Sequence, residues 1–542
     1  MYQNLESVSS IFKFSLVVVF LVAFVSCARK GRPEGGPKDE TAPLLVTANP
    51  PYKTTLFSTN EIRIHFDEYI TLKDIQKQLV VSPPLKYPPV ITPQGTPSKY
   101  INIKILDTLT LNTTYIFNFG NAVQDNNERN VLESFKYVFS TGTYIDSLTT
   151  SGNIKDAFLR KTDKGINVLL YKIDSNYTDS IIYKRKPSYV ANTLDSTNFN
   201  FSNLHKGNYF LVALKEDSND YLFNSKTEQV GFLLDTIKLP RDSIIKKSIK
   251  LFKEIQPYKF KKAKEASKGK IIFGYTGQIT DFKVNILSDV PSGFKSIAKF
   301  EKGKDTLNYW YTPFKADSIL FLVTNKGQID TVKVRLRKKK KDSLLINSTV
   351  SRTLHLRDTF FLKTNNPTLK VDETKILLTD KDTVSVKFKS LLSSDENKIG
   401  IIFDKKPSQK YRLQVFPKAI KDIFLQENDT LKYHFITKEI EDYGRIILDV
   451  RNINNNNLII ELLTNKGALI ERKYIYNSQI ISFKQLKSTK YIIRAIIDTN
   501  KNQQWDTGNY LLKRQPEKVI YFEKEIEVRA NYYMNEVFTI NK

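Results

Sequence analysis

Two stretches far apart in this chain follow one pattern. Residues 115–141 (YIFNFGNAVQDNNERNVLESFKYVFST) and 411–437 (YRLQVFPKAIKDIFLQENDTLKYHFIT) both open on an alternating run. Both place Ala three residues before Asp (Ala122/Asp125, Ala419/Asp422) and close on Tyr-x-Phe-x-Thr. A second pair lies downstream of each. Residues 201–204 with 209–213 are paralleled by 483–486 with 491–495, and a polar loop then leads to Glu228-Gln229-Val230 or Glu517-Lys518-Val519. An internal repeat sets the domain count, because each copy must be a unit of the same kind. The chain therefore reads A–B–C–A′–B′.

The units are sheets. Residues 61–66 (EIRIHF) and 100–106 (YINIKIL) alternate apolar and polar side chains, with turn signals between such runs. Period-2 alternation with frequent turns predicts half-buried strands and β-sandwiches. Ile, Val, Thr, Tyr and Phe are abundant, which suits a pleated surface. A helical spacing is confined to short stretches such as 74–79. The expected fold class is all-β, a string of β-sandwich domains. The expected boundaries are 44–145 (A), 148–256 (B), 269–337 (C), 350–438 (A′) and 443–542 (B′). That count agrees with 542 residues at ~100–200 residues per domain.

Within A, Pro50-Pro51, residues 64–69 (IHFDEY), 81–84 (VSPP), 113–115 (TTY), 120–130 and 137–142 (YVFSTG) resemble a bacterial Ig-like domain of the S-layer type. Their order and spacing resemble the leading domain of Bacteroidota lipoproteins described only as containing Ig-like domains. The resemblance implies a sandwich and no established activity. In B, residues 199–214 (FNFSNLHKGNYFLVAL) resemble a strand pair of prealbumin-like or collagen-adhesin B-type sandwiches, with Gly207 expected at a turn position of positive φ. Segment C resembles nothing specific.

Before the repeats, Lys13 precedes an apolar run from Phe14 to Val25, followed by Ser26 and Cys27, the single cysteine of the chain. A secretory h-region runs roughly 7–15 residues, whereas a bilayer-spanning helix needs roughly 20. Residues 1–26 thus read as a cleaved export signal. Cys27 resembles the thiol of a bacterial lipobox, which implies diacylation and a membrane partner through the N-terminal lipid. Residues 27–43, rich in Gly, Pro and charge, read as a flexible tether. Bacteroidota lipoproteins bound for the cell surface carry an acidic run after the cysteine. Ala28-Arg29-Lys30 is not acidic, so the resemblance leans to an outer-membrane lipoprotein on the periplasmic side.

The chain carries a formal charge of +27. Such a balance suits acidic glycans, anionic headgroups or nucleic acid, but the lysines are spread along the chain and no nucleic-acid partner is expected. Two basic clusters, 259–270 (KFKKAKEASKGK) and 335–341 (RLRKKKK), fall at the expected junctions of C. They read as solvated linkers, with a headgroup-binding or anionic-polymer patch as the alternative.

Catalytic signals are sparse. His65, His205, His355 and His434 are scattered, without metalloprotease spacing. The sequence shows no phosphate loop, nucleophile elbow or thiol nucleophile beyond Cys27. Asp67 and Glu68 are adjacent on a strand and point to opposite faces. A non-enzymatic scaffold or protein-interaction module of the envelope is expected, with envelope proteins or glycans as partners. The alternative is a carbohydrate- or polymer-binding protein linked to an uptake or secretion complex, with Trp310 and Trp505 as sugar-stacking surfaces. No cofactor is expected other than a candidate Ca²⁺ at Asp498, Asn500, Asn502 and Asp506, whose spacing is like an EF-hand loop without its Gly and terminal Glu. The competing reading is an Asx-rich loop held by its own hydrogen bonds. Asp-Ser and Asp-Thr before an apolar residue, as at Asp107-Thr108-Leu109 and Asp429-Thr430-Leu431, resemble O-glycosylation acceptors of Bacteroidota envelope proteins, or simply close turns before strands.

Overall fold

The structure, a computed structural model, describes residues 38–540 apart from Lys338 and Ile453. The signal segment and Cys27 lie outside the described residues. Regular structure is almost entirely strand. There are two compact units, one ending at Ile145 and the other running Asp146–Lys542.

The first unit is segment A. One sheet orders Leu45–Asn49, Glu61–Leu72, Ser98–Lys104 and Val90–Thr92, and the other Val80–Ser82, Thr114–Gly120 and Phe135–Ser140. The inward residues of both sheets, among them Ile62, Ile64, Ile101, Ile103, Phe117 and Phe139, form one core. This is the alternation of 61–66 and 100–106 turned into a buried face.

In the second unit B, C, A′ and B′ each have a core of their own. A′ repeats the strand order of A: Ile346–Ser348, Phe360–Thr364, Lys398–Phe403 and Phe388–Leu392 over Ile376–Thr379, Lys410–Val415 and Leu431–Ile436. The shared sequence pattern has a shared hydrogen-bond cause. The Tyr115 hydroxyl accepts the Thr110 N–H, and the Tyr411 hydroxyl accepts the Lys406 N–H, each at 2.9 Å. The closing threonines do the same work in both copies. Thr141 donates to the Thr110 carbonyl at 2.7 Å, and Thr437 to the Lys406 carbonyl at 2.6 Å. Asp125 accepts the N–H groups of Glu128, Arg129 and Asn130. Asp422, fully buried, accepts those of Phe424 and Gln426 and an amide proton from Asn366. Buried donors must be paired, so Tyr, Asp and Thr recur where the chain turns between sheets.

B and B′ share another topology, in which the last strand runs parallel to the first. Ile249–Leu251 pairs with Leu148–Asp156 and Tyr533–Ile540 with Tyr443–Asn452. In both copies the register slips at the Phe-x-x-Leu step, and the residue before Leu is left-handed: Asn203 at φ 55° and Gln485 at φ 53°. The tyrosine five residues after that Leu donates back four residues, Tyr209 to the His205 carbonyl and Tyr491 to the Lys487 carbonyl. Gly207 does not take the positive φ expected of it. It opens strand Gly207–Lys215, and the left-handed residue of this hairpin is Asn203, at the bulge.

Both junction clusters of C differ from the expected linkers. Lys259–Ser267 is a strand paired with Lys270–Thr276, so this sandwich begins at 259 rather than 269. Phe260 and Ala263 face the core while Lys259, Lys261, Lys262 and Lys264 are exposed. Lysines on an edge strand discourage pairing with another chain. The second cluster folds against the first: the Arg337 N–H bonds the Glu265 carboxylate at 2.7 Å, and Lys339 reaches the carbonyls of Glu265 and Ala266. Likewise Ile346–Ser348, four residues before the expected start of A′, already belongs to its sheet.

Candidate binding cleft between sandwiches B and B′

Within the second unit, contacts do not simply follow chain order. C meets A′ where Trp310 packs on Ile423, Phe424 and Ile297, with Lys299 Nζ on the carbonyls of Ser393 and Glu396. Gly269, at φ +84°, lies so close to Phe424 that a Cβ there would sit 2.5 Å from its ring. A′ meets B′ through Arg357 and Glu471 at 2.9 Å. B′ then packs directly on B.

The B–B′ contact rests on the loop after Ile497. Tyr510, fully buried, enters an aromatic pocket of B made by Phe232, Phe210 and Tyr183, with ring centroids 5.4 to 6.0 Å away. Its N–H bonds the Glu254 carboxylate at 2.6 Å, Thr507 donates to the Lys253 carbonyl, and Gln515 to the Phe232 carbonyl. Gly508 lets the loop approach, since a Cβ there would lie 2.5 Å from the Phe252 ring. A second contact is polar. Glu461, aligned with Arg472 and Arg494 on neighbouring strands, binds both guanidinium groups. Arg494 then lies 3.8 Å from the centre of the Phe158 ring of B.

Beside these contacts a cleft of about 1000 Å³ opens between the two sandwiches. Leu148–Asp156 buries Ile154 and turns Asn153 and Lys155 outward, as strand alternation requires. The parallel register sets Lys250 directly beside Lys155. Lys518 approaches from B′, and the loop after Asp156 adds Arg160, Lys161 and Lys164. Burial and the charges of Lys518 and Lys155 hold the Lys250 ammonium below the usual lysine range. The carboxylate lining the cleft, Asp156, accepts the N–H groups of Phe158 and Leu159. Arg160 reaches Glu525 at 3.5 Å and the Glu523 carbonyl at 2.8 Å. The cleft is thus rich in cations and can hold an anion. None of these lysines stood out in the sequence, because only strand pairing and the B–B′ contact bring them together. A signal did exist for Tyr510. The loop between Ile497 and Val519 is longer than its counterpart between Lys215 and Gln229, and the extra residues carry it.

The predicted cation ligands are brought together, and their atoms are engaged with one another. Asp498 accepts the N–H groups of Asn502 and Gln503, and Asp506 Oδ2 accepts amide protons from Asn500 and Asn502, each at 2.7 Å. The Asn500 and Asn502 carbonyls accept the N–H groups of Asn502 and Gln504. This is the bonding of a self-held Asx loop. Trp310 does not offer the stacking face expected of it. Trp310 is 4% exposed in the C–A′ contact, and Trp505 packs 4.6 Å from Phe158 while its indole N–H bonds the Glu517 carbonyl. Their large apolar surface is used between sandwiches.

The corresponding loop of B holds Glu216, which accepts protons from Asn167 and the Tyr221 N–H. Burial pushes its carboxyl up to about 7. An acid whose folded value lies above its unfolded one keeps its proton only when folded. Its contribution is therefore present at low pH and is lost as pH rises from near 4.5 through about 7. Thermal melts across that window are expected to show a decline in wild type that Glu216→Gln flattens; parallel curves would refute the assignment.

Comparison with solved structures finds low-identity likenesses. Surface layer protein SbsC, domains 1–6, is 10% identical over 90% of this chain and 67% of that one, at a TM-score of 0.16. BcpA, the major pilin subunit of Bacillus cereus, is 10% identical over 73% of this chain and 100% of that one, at 0.14. The titin I9–I11 tandem is 11% identical over 52% and 100%, at 0.12. No curated protein matches the chain in sequence. Residues 39–141, which form the first sandwich, match the bacterial Ig-like domain family.

Proposed function

We propose that this chain is a lipid-anchored protein of the cell envelope that acts as a non-catalytic scaffold or protein-interaction module. The observation that carries this reading is the docking of B′ on B through Tyr510. It ties the far end of the chain to an early sandwich, so that B, C, A′ and B′ form one body able to present surfaces at fixed spacing. Supporting the anchor are the apolar run ending before Ser26-Cys27 and the Gly- and Pro-rich residues 28–43. The resemblance to Bacteroidota lipoproteins favours the outer membrane and its periplasmic side. Metabolic labelling with palmitate is expected to mark the wild-type protein and to leave Cys27→Ser unlabelled. Labelled Cys27→Ser would remove the anchor from the proposal. Crosslinking in the native envelope, followed by affinity purification, tests the scaffold role through its partners.

The second reading, binding of a carbohydrate or polymer, is supported by the cation-lined cleft rather than by the tryptophans.

A further inference from the structure

We propose that sandwich A′ binds a phosphorylated sugar in a cleft on the outer face of its three-stranded sheet, with Arg352, Lys410 and Arg412 on the phosphate and Asp380 on the sugar. Such a site goes beyond both readings above and depends on neither.

The first support is the row of side chains that strand register builds. Lys410 and Arg412 alternate with the core residues Tyr411 and Leu413, so they point out of the sheet. Arg412 lies between Thr379 and His434 on the neighbouring strands. The Arg352 carbonyl accepts the Ile436 N–H at 2.9 Å, which sets Arg352 beyond the last strand of the row. With Lys381, these residues line a cleft of about 490 Å³. Among the described residues, none of the four cationic side chains forms an ion pair or a hydrogen bond. A phosphomonoester brings close to two negative charges and three strong acceptor oxygens. A guanidinium meets phosphate oxygens two at a time. A lone carboxylate would bring one charge to four cations.

The second support is sandwich A, which keeps the same register with other residues. Ile116 lies between Ser82 and Val138 as Arg412 lies between Thr379 and His434. Ser82, Thr114, Ile116 and Val138 are all buried, whereas Lys410, Arg412 and His434 are exposed. The fold therefore closes without a cation at any of these places, and A′ opens and charges a face that A keeps apolar. The third support is polarity along the strand order. Asp380 follows Ile376–Thr379 at one end, and Arg352 lies past Leu431–Ile436 at the other. Neighbouring strands lie about 4.8 Å apart, so about 10 Å separates the strand before Asp380 from that of His434. Asp380 Oδ1 accepts the N–H groups of Asp382 and Val384 at 3.0 and 2.9 Å. Its Oδ2 carries no hydrogen bond among the described residues and can accept one from a hydroxyl. Thr379 and Thr383 also line this end. A phosphate is drawn to the arginine end and repelled from Asp380, where an uncharged ring rich in hydroxyls fits instead. The volume lies within the usual range of ligand pockets and leaves room for a ring beside the phosphate.

The test uses the full chain, with the double variant Arg352→Gln/Arg412→Gln beside wild type. Calorimetric titration with glucose 6-phosphate is expected to show binding that added salt weakens and that the double variant weakens by about tenfold or more. Without ligand, the double variant is expected to melt within about 2 °C of wild type, because both arginines are exposed and unpaired. A larger fall would mean that the arginines hold the fold, and would overturn the site. Equal binding of glucose 6-phosphate by the two proteins would overturn it as well. Glucuronate, inorganic phosphate and phosphatidylcholine vesicles carrying phosphatidic acid are the control probes, all expected to bind more weakly than glucose 6-phosphate. Glucuronate bound as tightly would overturn the phosphate assignment. Inorganic phosphate bound as tightly would overturn the sugar in favour of a general anion site. Vesicles bound with the same arginine dependence, and no glucose 6-phosphate, would overturn it in favour of a lipid surface. Binding of none of the probes would remove the site altogether.

Discussion

Tyr510→Ala is expected to destabilise the 146–542 unit by about 3–5 kcal/mol, the range for truncating a large buried aromatic. The ring is fully buried and touches three rings of another sandwich. A truncated side chain would leave an aromatic-lined void that Phe232 and Phe210 cannot both close. Lys513, whose ammonium lies 4.3 Å from the Tyr510 ring and 4.9 Å from that of Phe210, would lose one of its two faces. The Tyr510 hydroxyl is buried without a hydrogen-bond partner. Tyr510→Phe is therefore expected to be close to neutral, because it removes a group that gains nothing from burial. Denaturant unfolding of the three proteins, with calorimetry, checks both claims. In wild type, B and B′ should unfold together. In Tyr510→Ala, they should separate into two transitions, and protease should cut the 498–517 loop. A single transition at the wild-type midpoint would mean that Tyr510 is not what couples the two sandwiches, and the scaffold reading would lose the observation that carries it.

Glu461→Ala should cost a similar amount, about 3–5 kcal/mol, for an electrostatic reason. Glu461 is 1% exposed and Arg494 7%. The carboxylate is 2.6 Å from Arg494 and also binds Arg472. Removing it strands one buried guanidinium and one half-buried one, and a buried cation without its partner is more damaging than the loss of the pair as a whole. Arg494 also stacks on Phe158 and donates to Tyr521, so the loss is felt in the B–B′ contact and at the wall of the cleft. The measurement is again the denaturation midpoint, supplemented by the triple change Glu461→Leu/Arg472→Leu/Arg494→Met. That variant should recover much of the lost stability, since no charge is left unpaired. If Glu461→Ala alone melts like wild type, Arg494 has found water, and the contact is looser than its distances imply.

Much of the architecture was legible in residue pattern. Alternation at 61–66 and 100–106 became buried strand faces. Ala122/Asp125 and Ala419/Asp422 became matching turns in which an aspartate accepts loop N–H groups. These are local rules, in which a period of two names the buried face and a short polar side chain names the turn. The lysine-rich strand 259–267 was misread as linker because its charge masked its alternation; Phe260 and Ala263 alone mark the inner face. Gly207 was misread for the opposite reason. Glycine tolerates a positive φ but does not require one, and here the positive φ falls at Asn203, in the bulge before the turn.

What the sequence determined by itself is the kind of unit and its repetition, because strand alternation and turn chemistry act between residues close in the chain. It also marks Cys27, whose place after an apolar run needs no fold to be noticed. The tertiary structure alone decided that B′ returns to B. That contact depends on a tyrosine in an inserted loop meeting a pocket built from strands far earlier in the chain, and pairing at that range leaves no periodic trace. The cleft follows from the same event. Lys155 and Lys250 become neighbours only through a parallel strand pair, and Lys518 joins them only when two sandwiches close.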